Sequence, residues 1–172
     1  LYDAERINKP VDKKEIAKRT DYRDLLTITI DGADAKDFDD AITVERRGDG
    51  FVLYVHIADV AHYIKQDGIL DTEALKRATS VYLPNMVLPM LPEAVSNGVC
   101  SLQENLDRLT LSCVMEIDKT GKVTGNKIVE SVIRSNHRMT YDDVQKILDG
   151  DKKLIEKYAD VYDMITCARD LE

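Results

Sequence analysis

Five aspartates fall within ten residues, Asp31, Asp34, Asp37, Asp39 and Asp40, immediately after an alternating apolar segment. Carboxylates crowded in this way repel, and a folded chain offsets the repulsion with a divalent cation or by raising some of their pKa values. Oxygen donors suit hard ions such as Mg²⁺ or Mn²⁺. Two such ions held close together can clamp both the attacking and the leaving oxygen of a phosphodiester, so the run points to metal-assisted phosphoryl chemistry.

The neighbouring residues determine how the acids are presented. Leu26, Ile28 and Ile30 alternate with threonines, which predicts a half-buried strand delivering Asp31 at its end. Asp37, Asp39 and Asp40 then lie on the turn into the next strand, with Phe38 available to anchor that turn in the core. In extended chain Asp37 and Asp39 point one way and Asp40 the other, so convergence requires an irregular loop.

Further along, Ala41 to Arg46 and Phe51 to Asp59 flank Gly48-Asp49-Gly50, a hairpin pattern with Val44, Leu53, Val55 and Ile57 expected inward. Asp71 is placed to cap a short helix through Thr79, with Ala74, Leu75 and Ala78 buried. Val81 to Pro92 holds three of the four prolines and should be extended. Leu109, Leu111, Cys113, Met115 and Ile117 alternate strictly and begin a second hairpin, turning at Lys119-Thr120-Gly121 and returning through Ile128 to Ile133. Thr140 with Asp143 resembles a capping box for a helix ending near Gly150. A last helix sets Leu154, Ile155, Tyr158, Val161, Tyr162 and Ile165 on one stripe. Hairpins with helices at intervals predict an α+β fold around a largely antiparallel sheet with helices packed on it.

Composition narrows the function classes. The chain has 172 residues and a net charge of −8, the wrong sign for holding nucleic acid by bulk electrostatics alone. No apolar run is long enough for a membrane span and no secretory pattern is visible, so the expectation is a cytoplasmic protein. Three cysteines without CxxC spacing argue against structural zinc and a disulfide framework, and Cys113 reads as a buried packing residue. His56, Asp59 and His62 look like a ligand set, but neither helical nor strand spacing brings them together. An EF-hand is excluded because the sixth position counted from Asp31 or Asp37 is Lys36 or Ile42 instead of glycine. An aspartyl-nucleophile phosphatase wants a second Asp where Ala33 stands.

Six blocks in order carry a resemblance. They are Asp31-Gly-Ala-Asp-Ala-Lys-Asp37-Phe-Asp39-Asp40-Ala, His56-Ile-Ala-Asp59-Val-Ala-His62-Tyr63, Thr79-Ser-Val-Tyr82-Leu-Pro, Pro89-Met-Leu-Pro92, Ser96-Asn-Gly-Val-Cys100-Ser-Leu and Asp107-Arg-Leu-Thr-Leu-Ser-Cys113. Together, from about Leu26 to Asp143, they resemble the catalytic RNB domain of the ribonuclease II and ribonuclease R family, and the ribonuclease R branch most. The resemblance implies a 3′-to-5′ exoribonuclease acting on single-stranded or structured RNA and releasing nucleoside 5′-monophosphates. It implies that Asp31, Asp37, Asp39 and Asp40 are the catalytic and metal-binding positions, with Mg²⁺ as cofactor and Mn²⁺ a possible substitute. Within that set Asp31 and Asp40 are the first choices as ligands and Asp39 as the group orienting water or substrate. Asp34 lies outside the four positions and reads as an exposed loop acid.

Tyr82 matches a family tyrosine that stacks on the 3′-terminal base; its neighbours Val81 and Leu83 alone would suggest a packed structural ring. Arg108, Arg134, His137 and Arg138 read as salt-bridged or solvated, with phosphate contact the competing reading. Residues 1–24 are expected to be a linker or entry segment from a preceding module, and 25–172 the N-terminal half of the RNB domain. The chain is expected to be part of a longer polypeptide that carries cold-shock modules before this domain and an S1 module after it. By itself it should be inactive or weakly active, so a non-catalytic RNA-binding or cation-binding module is the alternative reading.

Overall fold

The computed structural model describes residues 7 and 9–171. Nine strands and six helices appear in chain order among them. Strand β1 is Thr20–Asp21, β2 Ile28–Asp31, β3 Asp40–Arg47, β4 Gly50–Ala58, β5 Val81–Leu83, β6 Met86–Leu88, β7 Asp107–Ile117, β8 Val123–Arg134 and β9 His137–Thr140. Helix α1 is Lys13–Ile16, α2 Val60–Tyr63, α3 Ile69–Arg77, α4 Tyr141–Leu148, α5 Lys152–Lys157 and α6 Tyr162–Leu171. Seven strands form one sheet in the order β1-β8-β7-β4-β3-β2-β9, while β5 and β6 pair as a separate ribbon. The outer pairs, β1 with β8 and β2 with β9, are parallel and the rest of the main sheet is antiparallel. This is the expected α+β, largely antiparallel architecture.

Local chemistry explains several boundaries. Gly48, at φ +59°, turns β3 into β4, and Gly121, at φ +81°, turns β7 into β8, both in a region that favours glycine. Thr140 caps α4 by accepting the Asp143 N–H at 3.0 Å, and Asp151 caps α5 through the Lys153 and Leu154 amides. The apolar stripe of α4 and α6 lies over β2, β3 and β9, where Ile28, Val44, Met139, Ile147, Val161 and Ile165 form the larger core. A second core on the other face gathers Phe38, Ala41, Ala58, Leu102 and Ile133 under the acidic loop.

The described part of the expected linker or entry segment, up to residue 24, is fastened to the sheet; residues 1–6 and 8 lie outside the described residues. Thr20 and Asp21 pair with Ser131 and Val132, and buried Arg19 meets buried Asp59 at 2.8 Å. Other expectations need correction. In the second hairpin the apolar alternation does not mark one buried face: Leu109 and Ile117 are buried, but Leu111 is 41% exposed, Cys113 is only half-buried, and Thr110 and Ser112 are fully buried. Those hydroxyls are satisfied by each other's neighbours, Thr110 Oγ1 with Ser131 Oγ at 2.7 Å and Ser112 Oγ with His56 Nδ1 at 2.6 Å. In the first hairpin Ile57 likewise faces solvent and His56 is buried.

The helix at Ile69–Arg77 is capped by Gly68 without a side-chain bond, and Leu75 is 81% exposed. It stands off the sheet and touches the molecule through Leu70, beside Val95, Val99 and Cys100, and through Arg77 Nη1, which donates to the Pro89 carbonyl at 3.0 Å. Finally, the single last helix is two. The chain breaks between α5 and α6, where Tyr158 and Val161 both turn into the core and Tyr158 meets the His137 ring edge-on at 5.3 Å.

Candidate active site: an acidic loop facing Tyr82

Strand β2 ends at Asp31 and β3 begins at Asp40, and the two are antiparallel neighbours, so residues 32–39 form a loop that returns the later acids toward the first. Phe38 plugs this loop into the core beside Leu102 and Ile133. Asp31, Asp37 and Asp39 line one cavity of about 640 Å³, which also takes in Asp34, Tyr82, Glu93, Ser96 and Asn97. Asp40 does not line it. It opens β3 opposite Ile57, near enough to act on the Asp31 and Asp39 carboxyls through charge.

The electrostatics are those of crowded like charges. Burial, then the charges of Asp40, Asp37 and Asp39, push the Asp31 carboxyl up, with the Arg138 guanidinium opposing them. Asp39 is pushed up by desolvation and by Asp37 and Asp40; since the residue keeps an exposed edge, the charge of its neighbours is the firmer cause. Asp31 Oδ2 is buried without a hydrogen-bond partner. An orphaned buried oxygen on Asp31 with further carboxyls beside it is a donor set suited to a hard cation. Among the described residues no three His, Cys, Asp or Glu side chains stand close enough, as placed, to hold a metal ion.

Tyr82 stands on the β5–β6 ribbon at the cavity wall. Its ring is 68% exposed, flanked by exposed Val81 and Leu83, and its hydroxyl donates to Asp37 Oδ2 at 3.4 Å, the long end of the range. That carboxylate pushes the Tyr82 hydroxyl pKa up. The ring therefore presents a free face beside the acids.

Asp59 and His62 share Arg19, and the other candidates are put to separate uses. His56 is bonded to Ser112, Asp59 to Arg19, and His62 Nδ1 sits 3.3 Å from Arg19 Nη2. Arg108 donates to the Ser101 and Gly98 carbonyls, Arg134 pairs with Asp107, and His137 pairs with Asp160. Arg138 Nη2 donates to the Gly32 and Ala33 carbonyls at 2.8 and 2.7 Å. Sequence reasoning set Asp34 aside, yet it reaches the cavity. It also passed over Glu93, Ser96 and Asn97. Ser96-Asn97 lies in one of the six blocks, on a turn wound wider than an α-helix in which Cys100 N–H reaches back to the Val95 carbonyl at 3.1 Å.

Residues 19–172 match the model of the RNB domain family. Ribonuclease R 1 of Lactococcus lactis is 49% identical over 166 residues, covering 96% of this chain and 20% of that protein. Ribonuclease R of Thermotoga maritima is 49% identical over 172 residues, covering 99% of this chain and 24% of that one. In shape the chain is similar to Mycoplasma genitalium RNase R in complex with ribose methylated single-stranded RNA. The TM-score there is 0.87 at 35% identity, over 99% of this chain and 27% of that one. The chain thus spans between a fifth and a quarter of the length of these curated relatives.

Proposed function

The chain belongs to the RNB domain family, and on that premise we propose that its parent is a ribonuclease R-type enzyme that degrades RNA from the 3′ end and releases nucleoside 5′-monophosphates. The observation that carries this reading is the acidic loop and the exposed Tyr82 ring sharing one cavity wall. Asp31, Asp37, Asp39 and Asp40 would hold Mg²⁺, with Mn²⁺ as a substitute. When bound, the metal would supply a water of lowered pKa and stabilise charge on the phosphoryl and leaving oxygens. Tyr82 offers a π face to the terminal base, a contact that tolerates any sequence. Its hydroxyl bond to Asp37 ties the stacking platform to the carboxylates, so that a stacked base sets the distance of the last phosphate from them. Asp39 accepts a proton of the attacking water and orients it.

A net charge of −8 leaves phosphate affinity to other parts of the parent, and the cold-shock and S1 modules implied by the resemblance would provide it. We place the parent in the cytoplasm; no described helix is long and apolar enough to cross a membrane. The 172-residue chain alone should turn over little or no RNA.

End-labelled oligoadenylate incubated with the full-length parent and Mg²⁺ tests the activity. Mononucleotides released one by one are expected, and Asp39→Asn should abolish turnover while RNA binding persists. Internal cleavage ladders, or full-length RNA surviving intact, would refute the reading.

A further inference from the structure

The loop bearing the acids makes little structure of its own. Its internal tie is Ala35 N–H to the Gly32 carbonyl at 3.1 Å, and the other bonds recorded for its backbone come from distant parts of the chain. Arg138 on β9 clamps the first two residues after Asp31 through one nitrogen, its guanidinium lying 5.5 Å over the Phe38 ring. Ser101 grips the other end. Its hydroxyl accepts the Phe38 N–H at 3.1 Å and donates to the Lys36 carbonyl at 2.9 Å, thereby holding both neighbours of Asp37.

Ser101 has no exposed surface, and it is held in turn by Arg108 Nε, which donates to its carbonyl at 2.7 Å. Leu102 N–H to the Phe38 carbonyl at 2.8 Å, and Ala58 N–H to the Asp39 carbonyl at 2.9 Å, complete the far end. The Phe38 ring fixes how deep the loop sits, but an apolar plug does not fix rotation of the backbone about it. Directional bonds on both sides do.

We propose that Ser101 and Arg138 are positioning residues for the acidic site, setting the loop from its two ends so that mutually repelling carboxylates are presented together. Neither lines the cavity. The inference rests on the metal-dependent reading above and assigns that reading's geometry to two side chains outside the carboxylate set. A serine is suited to the inner place because one small hydroxyl both accepts and donates there. An arginine suits the outer place because a planar guanidinium holds its Nη2 protons in fixed directions toward both carbonyls while lying over the Phe38 ring, an orientation that a freely rotating lysine ammonium does not fix.

The test compares Ser101→Ala, Arg138→Met and Arg138→Lys with the wild-type chain, each well below its melting temperature and with native circular dichroism. Mn²⁺ alone is the probe, titrated by electron paramagnetic resonance, and hydrogen exchange is followed at the Ala35 and Phe38 amides. Removing such a supporting bond typically weakens metal affinity roughly 10–100-fold. That loss is expected for Ser101→Ala and Arg138→Met, with Arg138→Lys between them and wild type, together with faster exchange at both amides. Natively folded variants that bind Mn²⁺ as wild type does would overturn the proposal. Should Ser101→Ala not fold, the part-exposed Arg138 variants decide it. A wild-type chain that binds no Mn²⁺ sinks the metal reading instead; faster exchange in the variants would then still uphold the loop-setting role, and unchanged exchange would overturn it.

Discussion

Acidification should destabilise this chain through one histidine. His56 on β4 is fully buried, shares Nδ1 with Ser112 Oγ at 2.6 Å, and keeps Nε2 buried without a partner. Burial pushes its pKa from 6.5 down to about 4. In the unfolded chain His56 takes up its proton near pH 6.5, in the folded chain only near 4, so between those values the unfolded state holds more protons and stability falls as pH falls. Going from about pH 7.5 to about pH 4.5, the loss from this group is about 2.5 kcal/mol. The carboxyl of Asp21, held down to about 2 by Arg23, also loses stabilisation in acid, but its window lies below the histidine's. Urea unfolding followed by circular dichroism is the assay, since the chain has no tryptophan. His56→Asn removes the titration and keeps a polar group, so it should show a difference between the two pH values smaller by about 2.5 kcal/mol, whatever its baseline stability. Equal acid losses in wild type and variant would refute the argument.

Three other outcomes follow from particular contacts. Arg19→Met leaves Asp59 as a buried, unpaired charge and should cost about 3–5 kcal/mol in urea unfolding, whereas a surface pair would cost under about 1. In the full-length parent, Tyr82→Ala should weaken binding of an RNA 3′ end by about 1–3 kcal/mol in a fluorescence titration, and Tyr82→Phe should retain most of it; equal losses would shift the role from ring to hydroxyl. A Cβ added at Gly50 would overlap the Ile117 carbonyl oxygen, so Gly50→Ala should lower stability by about 1–3 kcal/mol; an unchanged melting curve would show that the hairpin gives way freely.

The sequence by itself determined what short-range chemistry can determine. A strand ending at Asp31, glycine at the two hairpin turns and the Thr140 cap all depend on residues a few positions apart, and the structure has each in place; the half-buried alternation does not hold, since Thr27 and Thr29 are as buried as Ile28 and Leu26 is 42% exposed. The family was legible for a similar reason: its six blocks keep their residues in order along the chain. Which side of a hairpin is buried was not legible, because two faces of one strand compete and a distant segment decides. Thr110, Ser112 and His56 are inside because residues 19–22 fold back over them, with Arg19 meeting Asp59 and Tyr22 lying 6.1 Å from the His56 ring. The exposure of Leu111 and the fastening of residues 19–22 thus have one origin. At the site, spacing nominated the aspartates, yet only the tertiary structure decided which of them line the cavity and that Asp34 joins them. The same holds for Ser101 and Arg138, whose grip on the loop spans 63 to 106 positions of sequence and leaves no local pattern to read.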